Sequence, residues 1–457
     1  MIAIHNPATL AHLADVPSAT PTEIDAAVAT AQAALDGPWQ DPGVRKAALA
    51  DIADIMERET EALAHILTLE QGKPLATARM ELATAIRIAR HYAAWDDHEP
   101  VIRDTPGERV WTDRIPLGVA GMIVPWNFPI TILMMKLGPG LRAGNTVLVK
   151  PSPSTPLATL RLAELIAPVL PVGVLNVVTG DAGVGAVLCA HPGIAKLSFT
   201  GSTPTGRRVM ASCAPTLKRL TLELGGNDPA IVFADADIPA AARRLAMTVF
   251  SGAAGQICQA CKRVYVERPA HAEMVAAFEE IVQGIRVGDG TDAGVMMGPL
   301  HTAGQRDFVG GLLDDARARK ARVFQDGPAL PDLPGHFMRP AVVSGIAADA
   351  PLVMQEQFGP ALPIVPFDTE AEALAMANSG ELGLDASVWS ADEDRALAFA
   401  RRIRAGSLFI NTHAAPPDPE IPFGGAKQSG FGAELGDWGI DDASQRRVLK
   451  IERQVAG

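Results

Sequence analysis

Apolar residues recur at helical spacing through the first hundred positions and at strand-like spacing in the middle of the chain. Thr20-Pro21-Thr22-Glu23 has the form of a capping box with Pro at the first helical position, and the Ala-rich run behind it predicts a helix to Leu35. A longer helical stretch is expected from Val44 to about Gln71, stopped by Gly72, and another from Pro74 to Trp95. Beyond them, β-rich runs predict strands at Gly121–Trp126, Thr146–Lys150, Val174–Thr179, Ala195–Thr200, Leu220–Leu224 and Ala230–Phe233.

Helical stretches at Leu157–Leu170 and Gly183–Ala190 separate those runs, which implies βαβ units and a parallel sheet. The alternation resumes at Arg263–Val266, Ala361–Val365, Ala386–Trp389 and Ser407–Asn411, suggesting a second α/β domain. Ligands of doubly wound sheets bind beyond the carboxyl ends of the strands, so the turns that follow strands hold the functional signal.

A chain of 457 residues exceeds one ordinary core, which agrees with two domains. With 48% hydrophobic and 20% charged residues it reads as globular rather than disordered. The net charge of −12 and the absence of any Lys/Arg block argue against a nucleic-acid partner. No apolar run reaches the length of a membrane span and Met1 to Leu10 lacks the form of a secretory signal, so the expected location is cytoplasmic, with no membrane partner. Cys189, Cys213, Cys258 and Cys261 are too few and too irregularly spaced for a disulfide framework, which leaves a chemical role open to one of them.

Gly255-Gln256-Ile257-Cys258 follows the small residues Ser251-Gly252-Ala253-Ala254, which let a ligand approach the backbone. An isolated cysteine is more often a core thiol, so its company matters. Glu223-Leu224-Gly225-Gly226 ends an apolar run in a carboxylate beside a Gly pair; a Glu there is either salt-bridged or, in an apolar site, a base of raised pKa. Val124-Pro125-Trp126-Asn127-Phe128-Pro129 follows another strand, and its Asn is either packing or an oxyanion donor. Phe199-Thr200-Gly201-Ser202-Thr203-Pro204-Thr205-Gly206 is a Gly/Ser turn before a helix, suited to a pyrophosphate or to nothing in particular.

These blocks make the chain resemble the aldehyde dehydrogenase superfamily from Asn6-Pro7-Ala8-Thr9 nearly to the C-terminus. Gly144-Asn145-Thr146 through Lys150-Pro151-Ser152, Glu356-Gln357-Phe358-Gly359-Pro360 and Pro422-Phe423-Gly424-Gly425 complete the family's order. The resemblance implies two doubly wound α/β domains with a small β-rich oligomerisation arm. Its expected divisions are 1–98 with 117–226 for the dinucleotide, 227–439 for catalysis, and 99–116 with 440–457 for the arm. Arm and tail would complete a partner's sheet, giving a homodimer or homotetramer, with Val110-Trp111-Thr112 as a pairing strand.

The resemblance also assigns chemistry. Cys258 falls on the nucleophile, the Asn127 amide and the Cys258 N–H on the oxyanion donors, and Glu223 on the general base for water. A water-activating carboxylate favours hydrolysis over transfer of the acyl group to coenzyme A. For the cofactor, NAD with NADP also open, the resemblance implies Val124, Pro125 and Trp126 along the groove, and Lys150 and Gly185 near the adenosine. Phe199, Thr200, Gly201, Ser202 and Thr205 form the phosphate turn; Leu224, Gly225, Glu356 and Phe358 belong to the nicotinamide side.

The aldehyde tunnel maps to Phe128, Thr131, Ile132, Met135, Ile257, Gln259 and the segment 413–423 with Phe423; it is moderately apolar and has no Arg to receive a distal carboxylate. No metal is expected. Pro153 stands where many relatives carry a ribose-binding Glu, which weakens NAD preference; Asn227 stands where Lys is frequent; and Cys261 creates a Cys-x-x-Cys pair without a second pair to make a zinc site. Two other classes stay open: a scaffold that kept the fold without chemistry, and a thiol–disulfide protein using Cys258 and Cys261.

Overall fold

The computed structural model describes residues 1–97, 99–414 and 416–453. Positions 454–457 of the expected tail, position 98 and position 415 of the tunnel segment lie outside the described residues.

The first helix, Pro21–Ala34, starts as the sequence predicts: Thr20 Oγ1 accepts from the Glu23 N–H at 3.3 Å while the Glu23 carboxylate accepts from the Thr20 N–H at 2.7 Å. The long helix expected from Val44 to Gln71 is instead two, Pro42–Arg58 and Thr60–Gln71. Glu59 leaves helical geometry between them (φ −97°, ψ 8°), and Thr60 Oγ1 donates to the Met56 carbonyl at 2.8 Å, a local bond that competes with the backbone ladder. Gly72, at φ +99°, ends the second piece with its N–H on the Thr68 carbonyl. A further helix, Leu75–Ala94, packs across both.

Two open sheets follow. The first has the order Gly430–Phe431, Arg219–Glu223, Lys196–Thr200, Val119–Ile123, Thr146–Lys150, Leu175–Val177, parallel except for its outermost strand. Chain order reverses between Val119–Ile123 and Lys196–Thr200, the position where such sheets open a ligand crevice. The expected strand Gly121–Trp126 stops at Ile123, because Pro125 has no N–H to give to a ladder. Antiparallel pairing of Gly430 with Glu223 and Phe431 with Leu222 brings a late segment back onto this sheet.

The second sheet runs Arg322–Phe324, Ala341–Ser344, Ala361–Phe367, Cys261–Glu267, Asp228–Val232, Asp385–Trp389, Ser407–Ile410, parallel except at its first edge. Apolar clusters cover both faces of each sheet, as buried parallel strands require. The protein is thus a doubly wound α/β structure. A third, antiparallel sheet of Val101–Asp104, Glu108–Pro116 and Ser444–Glu452 projects from it, with Val101, Ile102, Val448 and Ile451 exposed. Among the described residues no helix is long and apolar enough to cross a membrane.

Candidate active site

The carboxyl ends of the first sheet meet the amino ends of Cys261–Glu267, Asp228–Val232 and Asp385–Trp389 of the second, and a cavity of about 260 Å³ lies there. Asn127, Glu223 and Cys258 all line it. Each reaches it from a different element: Asn127 from the turn after Val119–Ile123, Glu223 from the last position of Arg219–Glu223, and Cys258 from the loop before Cys261–Glu267.

That loop is held in a demanding conformation. Ala254 and Gly255 take positive φ (55° and 71°), and a Cβ on Gly255 would strike the Gly359 carbonyl. Gln256, fully buried, donates from Nε2 to the Ala253 carbonyl at 2.7 Å and accepts at Oε1 from the His301 N–H at 2.9 Å. The Asn127 Nδ2 donates to the Gln256 carbonyl at 3.0 Å. Cys258 is half-buried at the cavity wall. Burial pushes its thiol up to about 12; Lys262 draws it down, while Asp228, Asp385 and Glu356 press it further up.

Glu223 is buried, and neither carboxylate oxygen has a hydrogen-bond partner among the described residues. Burial holds its pKa well above the usual carboxylate range, with Glu434 adding repulsion and Lys136 opposing it. Lys136 is itself engaged: its ammonium pairs with Glu434 and donates to Ser198 Oγ (3.1 Å) and Thr200 Oγ1 (2.7 Å). On the other side, the fully buried ion pair of Lys73 and Glu81 supports the Asn127 turn. Lys73 Nζ donates to the Asn127 carbonyl at 2.6 Å, and Glu81 Oε1 accepts from the Ile130 and Thr131 N–H groups (2.8 and 3.2 Å). A carboxylate there meets the positive end of helix Pro129–Arg142.

The residues expected to hold a dinucleotide gather along the strand ends. Val124 continues the ladder by one bond to the Lys150 carbonyl (3.1 Å), Trp126 stacks on His301 at 4.5 Å, and Phe358 meets Trp126 edge-on at 5.7 Å. Lys150 ends Thr146–Lys150, buried, its ammonium on the Pro151 carbonyl (3.1 Å) and its pKa lowered by burial to about 8. A Cβ on Gly185 would sit 3.8 Å from the Lys150 stem. Phe199 and Thr200 close Lys196–Thr200; the Gly201 N–H donates to the Glu223 carbonyl (3.0 Å), and Ser202 Oγ donates to Thr205 Oγ1 (3.0 Å). Leu224 N–H donates to the Ser429 carbonyl (2.8 Å), and a Cβ on Gly225 would collide with the Glu356 carboxylate, which accepts from the Gly226 N–H at 3.1 Å.

Of the expected tunnel residues, Phe128, Thr131, Ile132, Met135, Ile257 and Gln259 line the same cavity, and from the segment 413–423 so do His413, Ala414, Pro416, Pro417 and Phe423, whereas 418–422 do not. Sequence reasoning missed Met80, Arg244, Met247 and Thr248, which line it too. Arg244, Met247, Thr248 and Ser251 follow each other at helical spacing along and just past helix Ile238–Val249, a signal available in the sequence. Met80, Arg244 and Met247 are exposed and form the rim. Cys261 is buried with Sγ toward the Arg263 carbonyl (3.6 Å), Asn227 donates to the Val353 carbonyl (3.0 Å), and Pro153 is exposed.

Comparison with known proteins agrees across the chain. The profile of the aldehyde dehydrogenase family matches residues 1–449. A phenylacetaldehyde dehydrogenase of Pseudomonas fluorescens is 37% identical over 98% of this chain and 92% of its own. Among solved structures, an NADP-dependent enzyme of E. coli superposes with a TM-score of 0.95 at 36% identity, covering 99% of this chain and 94% of that one. The NAD+ complex of a Bacillus cereus aldehyde dehydrogenase gives 0.94 at 33% identity, covering 98% and 93%.

Proposed function

The chain belongs to the aldehyde dehydrogenase family and is an aldehyde-oxidising oxidoreductase, and from that premise we propose that it oxidises an uncharged, apolar aldehyde to a carboxylate through Cys258. One observation carries the reading: Cys258, Asn127 and an unpartnered, buried Glu223 share one cavity.

The strand-end residues fit a nicotinamide dinucleotide. Helix Thr203–Cys213 has no side-chain cap at its N-terminus; Pro204 has no N–H and the Thr205 and Gly206 N–H groups are spent on the Ser202 carbonyl, so the Thr203 N–H and the positive helix end remain for a pyrophosphate, with the Ser202 and Thr205 hydroxyls beside them. The buried Lys150 ammonium has donors left over for a ribose, and the Glu356 carboxylate accepts ribose hydroxyls while Phe358 and Trp126 flank the ring. When bound, the dinucleotide supplies the two-electron oxidant. Residue 153 is Pro, so no carboxylate there repels a 2′-phosphate, and both NAD and NADP are expected to serve.

On the protein side, the Cys258 thiol releases its proton to water, Lys262 favouring the anion, and the thiolate attacks the aldehyde carbon. The Asn127 amide and the Cys258 N–H hold the resulting oxyanion, a donor of this kind contributing about 3–4 kcal/mol. Glu223 then takes a proton from the water that hydrolyses the thioester; a carboxyl of raised pKa is a stronger base once ionised. The apolar wall of Phe128, Ile132, Met135, Ile257 and Phe423 favours an apolar substrate; Arg244, absent from the tunnel that the sequence predicts, lines the cavity at its exposed rim.

We assign cofactor binding to 1–98 with 117–226, whose sheet Gly430–Phe431 also joins, catalysis to the rest of 227–439, and assembly to the antiparallel arm of 99–116 with the tail from 440. The arm's exposed apolar positions suit a homodimer or homotetramer, and four free cysteines suit the cytoplasm. Cys258→Ala tests the reading: folded protein with no aldehyde-dependent absorbance of reduced cofactor is expected, and undiminished formation in that variant refutes it.

A further inference from the structure

Lys262 turns back from the start of Cys261–Glu267 onto the loop that carries Cys258. Its ammonium donates to the Ile257 carbonyl and reaches those of Ala260 at 3.3 Å and Cys258 at 3.5 Å. The residue is 1% exposed, so the charge is held out of water, which costs energy unless the surroundings answer it. Asp228, Glu356 and Asp385 each feel that charge. Yet among the described residues none forms an ion pair with it within 4.0 Å. The ammonium is instead committed to three carbonyls of one short loop.

The Ile257 carbonyl and the Cys258 N–H belong to the same peptide unit. In a trans peptide the two point in opposite directions, so fixing the carbonyl on Lys262 aims the Cys258 N–H away from the ammonium. Lys262 is anchored in turn: its own carbonyl accepts from Gln357 Nε2 at 2.7 Å, and its ammonium lies 5.7 Å from the centre of the Phe358 ring.

We propose that Lys262 is the positioning residue of the nucleophile loop: by gathering the Ile257, Cys258 and Ala260 carbonyls it fixes the Cys258 amide and sets a positive charge against the Cys258 backbone. The inference rests on Cys258 as nucleophile. Its electrostatic part has a definite sign. Asp228, Asp385 and Glu356 oppose ionisation of the thiol and Lys262 favours it, while buried His413, whose own pKa Lys262 helps to lower, stays neutral at working pH. Loss of the lysine charge therefore raises the pH at which Cys258 becomes reactive.

Three variants separate geometry from charge: Lys262→Arg keeps donors and charge, Lys262→Gln keeps a donor alone, and Lys262→Met keeps neither. The rate of Cys258 carboxamidomethylation by iodoacetamide is followed against pH on the full-length protein, by mass spectrometry of the Cys258 peptide. The expected midpoint moves up by about one pH unit in the Gln and Met variants and stays with the wild type in Arg. Turnover of aldehyde is expected to fall about 10-fold in Met, with KM within about 2-fold, and less in Gln.

If the Met variant does not fold, the comparison of Gln with Arg decides: equal midpoints overturn the proposal. A purely structural lysine lowers the melting temperature of these variants and leaves the midpoint where it was. Preferential alkylation of Cys258 with an unmoved midpoint defeats only the role of Lys262, whereas full aldehyde turnover by Cys258→Ala defeats the nucleophile itself.

Discussion

The Asn127 side-chain amide donates to the Gln256 carbonyl over 3.0 Å, tying the turn at the end of one sheet to the loop that enters the other. One of the two amide protons is spent on this tether, which fixes where the other points. Asn127→Ala therefore removes both the proposed oxyanion donor and a brace. A fall in kcat of about 100-fold to 1000-fold is expected, with KM for the aldehyde much less affected. Steady-state kinetics at saturating cofactor check this; a change confined to KM would mean that Asn127 only packs.

Glu223 yields a prediction with a pH sign. Its carboxyl is held above the ordinary range, and the proposed base is the ionised form, so hydrolysis-limited turnover is expected to rise with pH through that raised pKa. Glu223→Gln is expected to show a burst of one reduced cofactor per site and then turnover slowed about 100-fold to 10,000-fold, without the rising limb. Stopped-flow absorbance reads burst and steady state together. Full steady turnover without a burst would assign the water to another group.

The cofactor choice is open to a single substitution. Pro153→Glu places a carboxylate where the sequence comparison expects a ribose contact, and like charges repel. KM for NADP should rise about 10-fold or more while that for NAD holds or falls. Equal changes for both cofactors would show that position 153 does not face the ribose.

His301, stacked on Trp126, links stability to acid. Burial lowers its pKa from 6.5 to about 4, so the folded protein binds the proton later than the unfolded chain. The stability it contributes is present above pH 6.5 and is lost as pH falls toward 4, amounting to about 3 kcal/mol when complete. His301→Phe keeps a stacking ring and removes that proton. Its melting temperature should fall less steeply than that of the wild type between pH 6.5 and 4.5, and parallel curves would contradict the assignment.

Much of the fold was legible because it rests on local chemistry. The Thr20 capping box, the stop at Gly72 and most strand cores follow from neighbours a few residues apart. The break at Glu59 was not legible, since the apolar phase resumes in register from Met56 to Leu63, seven residues on, across the polar run Glu57–Glu61. The residues expected at the tunnel, most of which line the cavity, came from the resemblance, not from period or composition. The supports of the site escaped notice: Lys73 with Glu81, Lys136 with Glu434, and Lys262 on its own loop. Lys136 and Glu434 lie 298 residues apart, and no pattern in a linear string joins a buried lysine to so distant a partner.

The return of Gly430–Phe431 to the first sheet has a consequence for how the molecule is made. Ser429 Oγ donates to the Gly225 carbonyl at 2.6 Å, across 204 residues of sequence. At roughly 5–20 residues per second of synthesis, about 10 to 40 s separate the two partners' appearance at the ribosome. Through that interval the strand bearing Glu223 has no edge partner on one side, and the nascent chain carries an unfinished pocket. The pocket is closed late, only after residue 429 has left the ribosome.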